Sequence, residues 1–118
     1  MSEHTEQATL FNMLLYHPEA WVIFAVPNGG LRNKKTASIL KHEGVKAGVW
    51  DVFVPIPAKG YHGMFVEMKF GSNKLTKAQV EFGQAVVEKG YYCQVAYSAH
   101  EAYKKIIDYL GWKEYYSD

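Results

Sequence analysis

Two short apolar segments, Val49–Pro55 and Met64–Phe70, flank the turn-forming stretch Pro57-Ala58-Lys59-Gly60-Tyr61-His62-Gly63. Segments of this length bounded by turn residues read as strands, and the linker suits antiparallel pairing, so the sequence predicts a β-hairpin here. What surrounds the hairpin narrows the fold further. Glu3–His17 carries Leu10, Met13 and Leu14, with Phe11 beside them, at helical steps, and Pro18 closes the pattern. The run Trp21–Val26 leads into Pro27-Asn28-Gly29-Gly30 and predicts a buried strand followed by a loop. Lys34–Glu43 predicts a short helix with Ala37, Leu40 and Ile39 inward, closed by Gly44. Thr76–Lys89 predicts an amphipathic helix capped by Thr76 and stopped by Gly90, and Tyr91–Tyr97 a strand. Ser98 caps a last helix through Leu110, before a tail whose Trp112, Tyr115 and Tyr116 are expected to cover the core or a subunit contact. The order of elements implies an α/β fold with a mixed central sheet flanked by helices. At 118 residues, positions 1–118 form a single domain with room for one site.

Several function classes are excluded. The apolar run Trp21–Val26 is far shorter than the roughly 18 residues of a membrane helix, and the N-terminus is polar, so neither a membrane partner nor a signal peptide is expected. A lone cysteine, Cys93, rules out an internal disulfide and fits a reducing compartment such as the cytoplasm. Cys93 lies in an apolar strand with no obvious base and reads as an inert thiol. The five histidines are scattered without zinc spacing. Gly29–Thr36 lacks the Gly-Lys-Thr of a phosphate-binding loop, so no nucleotide cofactor is expected, and no Gly-x-Ser-x-Gly elbow occurs.

The net charge of +1 conceals an uneven distribution. Residues 1–21 hold Glu3, Glu6 and Glu19 and no Lys or Arg. Residues 28–46 hold Arg32, Lys34, Lys35, Lys41 and Lys46 against Glu43, five bases to one acid and a local +4. Residues 67–79 add Lys69, Lys74 and Lys77 against Glu67, a local +2. Between and within these basic stretches, the hairpin strands are interrupted by charge. Alternation puts Phe65, Glu67 and Lys69 on one face, and Val49, Asp51 and Phe53 together, with Trp50, Val52 and Val54 opposite. Two readings account for ionised groups in such strands. Either the hairpin has one wet face with cross-strand ion pairs, or Asp51 and Glu67 converge on a hard divalent cation with Lys69 beside it.

The residues Gly48-Val49-Trp50-Asp51, Glu67-Met68-Lys69 and Gln79 match the D…(E/D)xK signature of the PD-(D/E)xK nuclease superfamily. Together with Pro27-Asn28-Gly29-Gly30-Leu31-Arg32, Gly44-Val45-Lys46-Ala47-Gly48 and Leu75-Thr76, they make the chain resemble the VRR-NUC family, the virus-type replication-repair nucleases, from about Glu3 to Leu110. Trp50 stands where the family pattern more often has Pro. The resemblance implies a restriction-endonuclease-like core and a metal-dependent endodeoxyribonuclease using Mg²⁺ or Mn²⁺. It implies Asp51 and Glu67 as metal ligands with the Met68 carbonyl, Lys69 as base or phosphate partner, and Gln79 near the water or phosphate. It also implies a helix-1 carboxylate, with Glu3 favoured for its spacing of four from Gln7 and Glu6 as the alternative. Asn28, Gly29, Gly30, Arg32, Lys34, Lys35 and Lys41, with Lys74 and Lys77 on the other side, become DNA contacts. The implied substrate is branched or four-way (Holliday) junction DNA in phage replication, recombination or repair, cut by a homodimer. A non-catalytic DNA-binding module on the same fold is the alternative.

Overall fold

The computed structural model describes residues 2–27 and 34–116. Helix α1 spans Glu3–Leu14, and its N-cap Ser2 accepts from the Thr5 amide at 3.3 Å, with Glu3 and Glu6 in a first turn that favours acids. Its Leu10, Met13 and Leu14 are buried at the spacing the sequence predicts. Helix α4, Ala99–Leu110, is capped by Ser98, whose hydroxyl accepts from the Glu101 amide at 3.0 Å, and ends at the left-handed Gly111. These two helices pack together over one face of the sheet. Val52, Val54, Met64, Val66 and Met68 meet them there, all fully buried, and this is the core. The tail also belongs to it: Trp112 and Tyr116 pack on the core, and the Tyr115 amide donates to the Tyr103 hydroxyl at 3.0 Å.

The sheet has the order β1-β2-β3-β4, with β1 at Phe24–Ala25, β2 at Val52–Val54, β3 at Met64–Met68 and β4 at Tyr92–Ala96. The hairpin β2–β3 is antiparallel in the register Val52 to Val66, whereas β3 and β4 run parallel. Parallel neighbours need a crossover, and helix α3, Lys77–Glu88, supplies it. It covers the other face of the sheet. There Phe65 stacks on Phe53 at 4.5 Å between ring centroids and meets Phe82 of α3 edge-on at 5.2 Å.

Three expectations are corrected. Trp21–Val26 is not a buried strand. Pro18 starts a 3-10 turn, Pro18–Val22, whose Ala20 and the following Ile23 turn inward, while Trp21 is 84% exposed and the strand at the sheet edge is only Phe24–Ala25, after which the Val26 amide donates to the Asp51 carbonyl at 2.7 Å. Helix α2, Lys34–His42, forms as expected but buries none of its residues, so Ala37, Ile39 and Leu40 are not a core face. Trp50 does not share the side of Val52 and Val54. It precedes the strand and turns to α3, where its indole donates to the Gln79 carbonyl at 2.9 Å and a Cβ on Gly83 would lie 2.9 Å from its ring.

Candidate active site

The hairpin brings Asp51 and Glu67 together. The Asp51 amide donates to Glu67 Oε1 at 3.1 Å, and the Met68 amide donates to Asp51 Oδ2 at 2.9 Å, so each carboxylate is held by the other strand's backbone. Amide and carbonyl of one extended residue face the same neighbour, which directs the Met68 carbonyl to this same edge. Lys69 Nζ lies 3.4 Å from Glu67 Oε2, both side chains being buried. Gln79 ties the group to α3. Its Nε2 donates to Glu67 Oε2 at 2.8 Å, while its Oε1 accepts from Lys69 Nζ at 2.8 Å and from the Thr76 amide at 2.9 Å. Thr76 accepts in return from the Gln79 amide, so one residue both completes the capping box of α3 and orients two site residues.

The approach of α3 depends on Gly48. It holds φ at +87°, and a Cβ there would come within 2.4 Å of the Ala78 carbonyl oxygen. Beside this junction opens a cleft of about 810 Å³, lined at its polar side by Asp51, Glu67, Lys69 and Gln79 and by Glu3, His4 and Gln7 of α1. Burial first, then the charge of Asp51, pushes the Glu67 carboxyl up to about 7, against the opposing pull of Lys69. The Asp51 carboxyl is also raised, by burial first and by Glu3 among its neighbours. Two acids are thus held together in a low-dielectric pocket with one lysine to offset them.

The two helix-1 candidates part company. Glu3 lines the cleft, whereas Glu6 is buried away from it and accepts from the Ala99 amide at 2.8 Å, at the start of α4. Of the expected DNA contacts, Lys41 lines the cleft, Lys34 and Lys35 are exposed in the first turn of α2, and Lys74 and Lys77 are exposed just before and at the start of α3. Asn28, Gly29, Gly30 and Arg32 lie outside the described residues. His4 and Lys46 also line the cleft and were not singled out by the sequence reading. Lys46 was visible as part of the basic stretch; His4, although next to Glu3, belongs to no motif and gave no signal. Cys93 stands in β4 apart from the site, and burial pushes its thiol up to about 11, as befits an inert thiol.

Among the described residues no three His, Cys, Asp or Glu side chains are arranged to hold a metal. Two carboxylates with a backbone carbonyl nevertheless form a donor set that suits Mg²⁺ or Mn²⁺, which take hard oxygen ligands and complete their shells with water and substrate phosphate. Burial is the main reason that both the Glu67 and the Asp51 carboxyls are raised there.

A mixed sheet flanked by helices, whose central hairpin presents two interlocked acids and a lysine at a cleft, defines an α/β domain with one candidate site. Residues 6–100 match the VRR-NUC domain family, and the chain belongs to that family. A solved structure described as a VRR_NUC domain protein superposes with a TM-score of 0.76 at 25% identity, over 94% of this chain and 89% of that one. No curated protein matches the chain. Among the described residues no helix is long and apolar enough to cross a membrane.

Proposed function

We propose that the chain is a divalent-metal-dependent endonuclease that hydrolyses DNA phosphodiester bonds. The observation that carries this reading is the reciprocal locking of Asp51 and Glu67 at the wall of an open cleft, with Lys69 at 3.4 Å from Glu67. Asp51, Glu67 and the Met68 carbonyl would hold Mg²⁺ or Mn²⁺, with Glu3 facing them from α1. Bound there, the cation would acidify a water and stabilise charge developing on the scissile phosphate.

The chain's own residues do the rest. Gln79 holds the Glu67 carboxylate and the Lys69 ammonium through the two ends of one side-chain amide, which limits their motion during the reaction. Lys69 orients or deprotonates the attacking water or pairs with a phosphate oxygen. Lys34, Lys35 and Lys41 on one flank and Lys74 and Lys77 on the other hold the strand through its phosphates, independently of sequence. The family resemblance extends the proposal to branched or four-way junction DNA in phage replication, recombination or repair, cut by a homodimer with one site per protomer.

The test is cleavage of a labelled four-way junction and of a linear duplex in Mg²⁺, Mn²⁺ or EDTA, with wild type and Lys69→Ala. Cutting that requires the metal and is lost in the variant is the expected result. Cutting that persists in EDTA, or is indifferent to Lys69, overturns the proposed site. Preference for linear duplex over the junction overturns the substrate assignment alone.

A further inference from the structure

Part of the cleft wall is apolar: Ala37 and Leu40 of α2 line it together with Val45 and Val49, and so do Lys41 and Lys46. Helix α2 has an apolar edge that the core does not use, since none of its residues is buried. Leu40 is half-buried and Val45 is 40% exposed. Apolar surface held open a short way from paired acids and lysines calls for an occupant with an apolar face and an anionic edge. A nucleotide has both. A base inside a duplex has its faces covered by its stacked neighbours, so only an unpaired base can lay a face on aliphatic side chains. The volume, about 810 Å³, is that of a site for one compact ligand, in the range of roughly 300–1,000 Å³ usual for such pockets.

Resting on the nuclease reading above, we propose that this wall seats an unpaired base of the strand to be cut, with Lys41 and Lys46 on the phosphates beside it. The strand therefore enters the cleft single-stranded, from a branch or a frayed end, and the paired arms stay outside against Lys34, Lys35, Lys74 and Lys77. Affinity in the cleft then depends on the presence of a base as well as on phosphate charge.

Binding measured by fluorescence anisotropy in EDTA separates the two contributions without any cleavage. The probes are a short thymidine strand, a strand of equal length carrying abasic residues throughout, and a blunt duplex. Wild type should bind the thymidine strand about five- to tenfold more tightly than the abasic strand, the gain from covering a modest apolar area. Leu40→Ser with Val45→Ser should abolish that preference and leave abasic-strand and duplex binding unchanged. Both positions are partly exposed, so the fold survives, and Leu40→Phe should restore or strengthen the preference by offering a flatter surface. Equal binding of the thymidine and abasic strands by wild type overturns the proposal, as does a preference that survives the double substitution or a loss shared equally by the duplex. The two readings fail differently. A chain that prefers the thymidine strand but cuts no DNA in Mg²⁺ or Mn²⁺ contradicts the nuclease reading, whereas one that cuts without base preference contradicts only the occupant of this wall.

Discussion

Glu6 and Glu67 are two carboxylates almost equally hidden, 9% and 2% exposed, in two differently built parts of the molecule. Glu6 sits on the α1–α4 side, where the Ala99 amide at the start of α4 donates to it and a helix dipole favours its charge. It has a structural partner and no view of the cleft. Glu67 sits under α3, where it accepts from the Asp51 amide and from Gln79 and faces Lys69, yet is pressed against a second acid at an open cleft. The difference teaches that burial alone does not mark a reactive group. An acid whose surroundings are complete stabilises the fold; an acid crowded by another acid beside open space remains short of positive charge.

Substitutions on the α3 side should therefore damage the site more than the fold. Gly48→Ala is expected to have the largest effect on stability, because a Cβ 2.4 Å from the Ala78 carbonyl at φ +87° forces the start of α3 away from the hairpin. A stability loss of about 1–3 kcal/mol in urea unfolding is expected from such strain, with cleavage per folded molecule falling at least tenfold. Retained cleavage would show that the position of α3 does not govern the site. Trp50→Phe removes the indole bond to the Gln79 carbonyl and the part of the buried ring that packs against Gly83. It should cost about 1–2 kcal/mol and lower kcat with little change in KM, since Gln79 orients groups rather than binding remote parts of the substrate. A change confined to KM would argue that Trp50 meets DNA instead.

The smallest effect belongs to the α1–α4 side and depends on pH. His17 is buried against Tyr103, whose hydroxyl lies 2.8 Å from its Nε2, and stacks on Trp112 at 5.3 Å; burial lowers its pKa. An unfolded chain then takes up the proton first, near pH 6.5, so the contribution of His17 is complete above that pH and declines as pH falls below it. Glu67 works in the opposite sense, its raised carboxyl favouring the folded state as pH falls below about 7. The quantity to compare is thus the change in melting temperature between pH 7.5 and about pH 5.5 in wild type and in His17→Phe. A smaller acid loss in the variant is expected, and equal losses would place the acid sensitivity elsewhere.

Much of this division could be read from the chain. Thr76 and Ser98 announced α3 and α4 because caps are local chemistry, and the acids in the hairpin stood out because charge in an apolar strand needs a partner. The hairpin register then put Asp51 beside Glu67, as strand alternation requires. Less local features did not carry through. The apolar run Trp21–Val26 has no periodicity to separate a strand from a 3-10 turn, and Pro18 decided in favour of the turn. Helix α2 carries an amphipathic pattern, but pattern cannot say whether an apolar edge meets the core or a cleft. Trp50 escaped alternation because β2 begins two residues later, at Val52. Glu3 and Glu6 were separable only by the packing of α1 on α4, which places one at the cleft and the other at the Ala99 amide.

The most direct test sets the two buried acids against each other. Single-turnover cleavage of junction DNA in Mg²⁺ should fall by about a thousandfold or more in Glu67→Gln, a loss on the order of 4 kcal/mol of transition-state stabilisation, with the melting temperature maintained. Glu6→Gln should cut at close to the wild-type rate per folded molecule while melting at a lower temperature. Full activity in Glu67→Gln, or a loss of cleavage in Glu6→Gln as deep as in Glu67→Gln, would contradict the assignment of the α3 side as the site of the chemistry.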